Sequence, residues 1–97
     1  MSLIRVVARL ISRPDKIAET RDALIALIEL TRAEEGCILY ELMQNNADPA
    51  DFTFIEEWTT DAALDAHLGT PHLREFQARE TELLAVAPDI RRYTLMR

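Results

Sequence analysis

Residues 54–76, which read FIEEWTTDAALDAHLGTPHLREF, decide the fold of this chain. At the start of this segment apolar and acidic side chains alternate, as they do in a strand with one buried face. Thr60 is a suitable cap for a short helix over Asp61 to Leu68, Gly69 interrupts that helix, and Thr70-Pro71 begins another. The segment also contains the only Trp and both His residues of the chain, so we expect any functional site to lie here.

The flanking residues complete a β-α-β-β-α-β order. Asp15 is predicted to cap the first helix, Glu35-Gly36 to end it with Gly36 as the C′ residue, and Ala87-Pro88 to end the last helical region after Leu84. Four strands are expected at residues 3–12, 37–44, 52–59 and 90–96, with a polar loop over residues 45–51.

This order predicts a ferredoxin-like α+β fold, a single domain over residues 1–97 with an antiparallel sheet and helices on one face. The opposite face is predicted to be too apolar to remain in water. A homodimer formed through the sheet faces is therefore expected. That face is expected to carry Val7, Ile11, Leu39, Met43 and either Ile55 or Phe54, depending on the register.

Composition excludes several functional classes. The formal net charge is −6 and the basic residues form no stripe, so neither nucleic acid nor an anionic membrane is an expected partner. No apolar run approaches the roughly 20 residues of a membrane span. Cys37 is the single cysteine, which rules out an intrachain disulfide and fits a cytoplasmic protein.

The strand at residues 54–58 places Phe54, Glu56 and Trp58 on one face. If Trp58 packs under the helices, Glu56 is buried too, and a buried carboxylate needs a partner or a proton. His67 and His72 flank the helix break, so both are expected near the mouth of one cleft. Ordinary structural roles stay open for each: core packing for the Trp, the end of a helix for His67, and the surface for His72.

Other chemistries are not supported by the sequence. With two glycines the chain has neither a phosphate-binding loop nor a dinucleotide fingerprint. His67 and His72 lack the i, i+4 spacing of a helical metal pair and Cys37 is distant in sequence, so a metal site is not expected.

Three segments resemble the antibiotic biosynthesis monooxygenase superfamily, and most closely its quinol monooxygenase-like members. They are residues 34–41 (EEGCILYE), 55–58 (IEEW) and 64–72 (LDAHLGTPH). The resemblance implies a dimeric α+β barrel with a pocket between sheet and helices in each subunit. It also implies oxidation of quinol-like or phenolic aromatic molecules by O2 without a cofactor.

The resemblance further implies roles for individual residues. His67 would be the catalytic base, Glu56 would orient that histidine or share its proton, and Trp58 would stack on or orient the substrate ring. His72 would line the entrance, and the substrate would contact Tyr40, Phe54, Leu64 and Phe76.

Two departures and two alternatives accompany the resemblance. Polyketide-type members carry Asn and Tyr where this chain has Phe54 and Leu64, which argues against anthrone oxygenation, and haem-degrading members differ at Ala8, His67 and Gln77. An isomerase of small phosphorylated signalling sugars stays open, and it would need a cationic pocket. A ligand-binding or stress-response domain without turnover also stays open.

Overall fold

The computed structural model describes residues 3–97, so residues 1 and 2 of the domain expected over 1–97 lie outside the described part. The first half of the chain contains β1 (Ile4–Ile11), α1 (Ile17–Arg32), β2 (Cys37–Asn45) and β3 (Asp48–Trp58). The second half contains α2 (Asp61–Leu68), α3 (Pro71–Gln77), α4 (Glu80–Leu83) and β4 (Asp89–Thr94).

The four strands form one antiparallel sheet in the order β2-β3-β1-β4. Because β1 and β3 are central neighbours and the helices pack on a single face, the fold is the ferredoxin-like α+β arrangement that the element order predicts. The core lies between this face and the helices, where Leu24 and Leu64 are fully buried.

The inward face of β3 follows the predicted alternation. Phe54, Glu56 and Trp58 are all buried, and their partners on β1 are Ala8, Val6 and Ile4. Phe54 therefore faces the helices and Ile55 faces the other way, which settles the register that the sequence left open.

The outward face of the sheet mixes apolar and charged side chains. Val7, Ile11, Leu39 and Ile55 are half-buried in the single chain and Met43 is exposed. Charged residues on the same face pair across the strands, with Arg5 Nε 2.8 Å from a Glu57 carboxylate oxygen and Arg9 Nη2 3.0 Å from Asp51. The face thus has apolar side chains at its centre and paired charged side chains beside them.

The structure corrects both predicted ends of the first helix. The N-cap is Lys16, whose side chain makes no capping hydrogen bond, so the cap predicted at Asp15 is wrong. The helix ends with Ala33 as its C-cap, and Gly36 lies three residues further on. Gly36 does adopt a left-handed backbone, with φ of +87°, but it does so in the turn that leads into β2.

The predicted loop over residues 45–51 is mostly strand. Asn45 belongs to β2 and β3 begins at Asp48, so residues 46 and 47 make the turn. Asn45 Oδ1 accepts from the Ala47 N–H at 2.8 Å and Asp48 Oδ1 accepts from the Ala50 N–H at 3.1 Å. These hydrogen bonds satisfy backbone N–H groups near the turn. Residues that are typical of turns can therefore continue the hairpin here.

The last helical region is shorter than predicted. Instead of one helix to Leu84, the chain forms α3 and then the single turn α4, and the break falls at residues 78 and 79. The cap at Thr60 is confirmed, because its side chain accepts from the Ala63 N–H at 3.0 Å. Between residues 3 and 97, none of the helices combines the length and the hydropathy that a membrane crossing needs.

Candidate active site

A small cavity of about 50 Å³ lies between the sheet and the helices. Its walls are mainly apolar, and Glu56, His67, Gln77 and Glu80 supply polar groups. A cavity of roughly 150 Å³ accommodates benzene in another protein, so this cavity fits water or O2 in its present form and must widen for an aromatic ring.

Glu56 brings a carboxyl group into this buried site. It lies on β3 with 4% of its surface exposed, and the indole Nε1–H of Trp58 donates to its Oε1 at 2.9 Å. Burial raises the pKa of Glu56 to about 7, the hydrogen bond from Trp58 opposes that rise, and the charge of Glu34 adds to it. Near neutral pH this carboxyl group can therefore hold or release a proton.

His67 lies in the last turn of α2 and is 2% exposed. Its Nδ1 is 2.8 Å from Oε2 and 3.1 Å from Oε1 of Glu34. Burial lowers the pKa of His67, and the Glu34 carboxylate opposes that effect. An Nδ1–H donor to Glu34 leaves Nε2 as the accepting nitrogen of the neutral ring, and His67 lines the cavity.

The His67 ring is fixed by aromatic neighbours as well. The indole of Trp58 packs at 4.7 Å between ring centroids and the Tyr40 ring meets it edge-on at 5.7 Å. Tyr40 in turn stacks on Phe54 at 4.4 Å. The imidazole therefore has little room to reorient.

His72 contacts the same Glu34 carboxylate as His67 does. Its Nε2 is 2.7 Å from Oε2 of Glu34 and 3.3 Å from the hydroxyl of Thr70. The Thr70 hydroxyl donates to the backbone carbonyl of His67 at 2.8 Å, which ties the start of α3 to the end of α2. One carboxylate oxygen thus receives both histidines of the chain.

The structure brings most of the predicted site residues together. The cavity is lined by six of them: Glu56, His67, Tyr40, Phe54, Leu64 and Phe76. Trp58 lies behind His67 and Glu56 and outside the cavity wall, while His72 lines a separate groove of about 130 Å³ between α1 and α3. The substrate contacts expected of Trp58 and His72 stay predictions. The walls of the cavity must move before a substrate can make them.

Sequence reasoning missed two residues. Glu34, not Glu56, is the carboxylate that holds His67, although Glu34 was the first residue of a segment that carried the resemblance. Glu80 lines the cavity and burial raises its pKa. Its one signal was its position as a charged residue in an otherwise apolar helical stripe.

Comparison with known proteins identifies the family. The family described as antibiotic biosynthesis monooxygenase matches residues 3–79, which is most of the chain. The chain belongs to the antibiotic biosynthesis monooxygenase family. The cavity-lining residues Tyr40, Phe54, Glu56, Leu64 and His67 all lie within the matched segment.

The similarity to other proteins of the antibiotic biosynthesis monooxygenase type covers most of the chain. Rv0793 of Mycobacterium tuberculosis is 40% identical over 83 residues, which cover 86% of this chain and 81% of that protein. That relative is provisionally named a monooxygenase. The solved structure of Rv0793 superposes with a TM-score of 0.92 at 32% identity and covers 99% of this chain and 97% of that one. That of PA3566 from Pseudomonas aeruginosa superposes with a TM-score of 0.94 at 30% identity and covers 100% of this chain and 97% of that one.

Proposed function

We propose that this protein is a cofactor-independent monooxygenase that oxidises quinol-like or phenolic aromatic molecules with O2. The observation that carries the proposal is the pairing of His67 Nδ1 with Glu34 at 2.8 Å beside a buried, largely apolar cavity. This arrangement supplies a fixed base in a site that excludes bulk water, as the removal of a proton from a buried hydroxyl group requires.

His67 is the proposed base. With Nδ1–H donated to Glu34, Nε2 accepts the proton of the substrate hydroxyl group, and the carboxylate stabilises the imidazolium that forms. The resulting phenolate is electron-rich enough to pass one electron to O2. Recombination of the two radicals forms a bond between oxygen and a ring carbon that carries hydrogen, and protonation gives a hydroperoxide. Loss of that C–H proton and cleavage of the O–O bond release water and leave the other oxygen as a ring carbonyl.

Glu56 is the proposed second proton carrier. Its pKa of about 7 lets it be protonated in part of the population at neutral pH, so it can donate to the departing oxygen. Trp58 acts on the reaction through Glu56, because the indole N–H at 2.9 Å fixes one carboxyl oxygen and leaves the other for the substrate.

The walls of the cavity suit an aromatic substrate once the cavity has widened. Tyr40 and Phe54 are stacked on each other at its sheet side and Leu64 and Phe76 line its helix side. These side chains favour a flat apolar ring, and the two carboxyl groups and the imidazole suit its hydroxyl groups. We propose that His72 admits the ring when α2 and α3 shift.

The isomerase of phosphorylated sugars is the weaker candidate. The residues that line the cavity all belong to the described part of the chain, and none of them is a Lys or an Arg. Glu56 and Glu80 would instead oppose an anionic phosphate. We further propose that the protein acts in the cytoplasm as a homodimer that pairs the outward sheet faces.

The test is O2 consumption by metal-free protein with a panel of hydroquinones. His67→Asn is the informative variant, because its amide can still donate to Glu34 but it has no equivalent of Nε2. Glu35→Gln is the matched control, since Glu35 is exposed beside Glu34. We expect uptake above autoxidation with the unchanged protein and the control, and a loss of at least about 100-fold in His67→Asn.

Two results would contradict the proposal. Uptake that stays at the autoxidation rate across the panel, in air and also under pure oxygen, would favour the ligand-binding domain. Turnover that continues without oxygen would favour the isomerase.

A further inference from the structure

The carboxylate that joins the two histidines also gives the chain a set of metal-ligand atoms. A carboxylate oxygen of Glu34, Nδ1 of His67 and Nε2 of His72 lie within 4.8 Å of one another. They come from three separate places in the chain: the turn after α1, the end of α2 and the start of α3. Neither the spacing of these residues in the sequence nor helical periodicity predicts that Glu34 belongs to this group.

We propose that Glu34, His67 and His72 bind a divalent transition-metal ion such as Zn²⁺. Two imidazole nitrogens and one carboxylate oxygen are a common protein donor set for such ions, with water in the remaining positions. Binding does not depend on the reaction proposed above, and it goes beyond it.

The distances between the donor atoms suit this role after a small movement. Two ligands that lie about 2.1 Å from one tetrahedral metal ion are about 3.4 Å apart. The carboxylate oxygen of Glu34 is 2.8 Å from His67 Nδ1 and 2.7 Å from His72 Nε2. Each of these two distances must therefore open by about 0.6–0.7 Å before the three atoms can coordinate one ion.

Burial and access also favour a cation here. The side chain of His67 is buried, while those of Glu34 and His72 are about one-seventh exposed, at 14% and 15%. The buried ligand is held by its aromatic neighbours, and the two others leave a path from solvent. His72 also lines the groove between α1 and α3, through which an ion and its water ligands can enter.

Coordination has a consequence for His67. A metal ion on Nδ1 moves the proton of the neutral ring to Nε2, the nitrogen proposed above as the base. Nε2 then donates and no longer accepts. If the proposed oxygenase reaction is correct, the bound ion inhibits it.

The chain offers a direct test, because its only two histidines are the two proposed ligands. Tag-free, chelator-treated protein labelled with ¹⁵N is titrated with Zn²⁺, and the imidazole nitrogens are observed by long-range ¹H–¹⁵N NMR. We expect His67 Nδ1 and His72 Nε2 to move together to metal-bound shifts at one equivalent of Zn²⁺, with His67 Nε2 becoming protonated.

Variants separate the site from general surface binding. Loss of even an outer-shell partner weakens metal affinity about 10–100-fold, so Glu34→Gln and His72→Ala should each weaken Zn²⁺ binding by more than that. Glu35→Gln should bind as the unchanged protein does, and unchanged methyl spectra establish that each variant is folded. Imidazole shifts that do not change in excess Zn²⁺, or that change at His72 Nδ1 alone, would overturn the proposal.

Discussion

At the residue scale, burial of the Glu56 carboxyl group makes the stability of the protein depend on pH. The groups that face its carboxyl are the indole of Trp58, which lowers its pKa, and the carboxylate of Glu34, which raises it, while burial is the largest influence. Because the folded pKa of about 7 lies above the ordinary value of 4.5, Glu56 favours folding below pH 4.5. That contribution is lost as the pH rises through about 7.

Glu56→Gln should remove this loss. The Gln side chain keeps the volume and can still accept from Trp58, but it does not ionise. The free energy of unfolding of Glu56→Gln, relative to the unchanged protein, is expected to rise by up to about 3 kcal/mol between pH 4 and pH 8. Urea unfolding at a series of pH values measures this difference.

Glu75→Gln is the control for that experiment, because Glu75 is exposed on α3. It should change the free energy of unfolding by the same small amount at every pH. A difference for Glu56→Gln that is equally flat would show that Glu56 is solvated and would contradict the buried position derived from the register.

The candidate site shows what could and could not be predicted for single residues. Alternation on β3 was enough to predict that Glu56 and Trp58 share the buried face, and this is confirmed. The role of Glu34 was missed, because it lies in a turn and contacts His67 and His72 across 33 and 38 residues of sequence. Contacts of that kind follow from tertiary packing, which no local pattern encodes.

At the element scale, the turn between α1 and β2 depends on one glycine. Gly36 has a φ of +87°, and a Cβ there would lie 2.6 Å from Ala63 Cβ and 2.7 Å from Thr59 Oγ1. Gly36→Ala should therefore lower the free energy of unfolding by about 2–4 kcal/mol, from backbone strain and overpacking together. Thermal or urea unfolding measures the change.

Gly69 supplies the matched comparison. Its φ is −99° and a Cβ would meet only the Ala66 carbonyl oxygen, at an ordinary 3.7 Å. Gly69→Ala should change stability by less than about 1 kcal/mol. Equal losses in the two variants would contradict the assignment of strain to the α1–β2 turn.

Element boundaries were predicted less well than element order. The order follows from the alternation of strand and helix periods, which tertiary packing reinforces. The boundary of β3 was placed four residues late, because Asp48 and Pro49 are typical turn residues. They extend the strand here since Asp51, 6% exposed, is held by Arg9 and Asn45 on the outward face.

At the scale of the whole molecule, the outward sheet face is the surface that the monomer leaves incompletely covered. Val7, Leu39 and Ile55 form its apolar centre, and the ion pairs Arg5–Glu57 and Arg9–Asp51 neutralise much of the charge around it. Two such faces can pack on each other with both of these ion pairs already formed, which lowers the cost of a contact between identical surfaces.

Ile55→Lys should therefore abolish the proposed homodimer. The substitution replaces apolar area at the centre of both faces by a cation, and even beside Glu41, its cross-strand neighbour, desolvation of that cation costs more than the contact gains. Ile25→Lys is the control, because Ile25 is an apolar residue of α1 that is already 50% exposed to solvent. Sedimentation velocity at micromolar concentration should show a dimer for the unchanged protein and for Ile25→Lys, and a folded monomer for Ile55→Lys. An unchanged protein that sediments as a monomer would contradict the dimer, and a dimer that survives Ile55→Lys would place its interface on another surface.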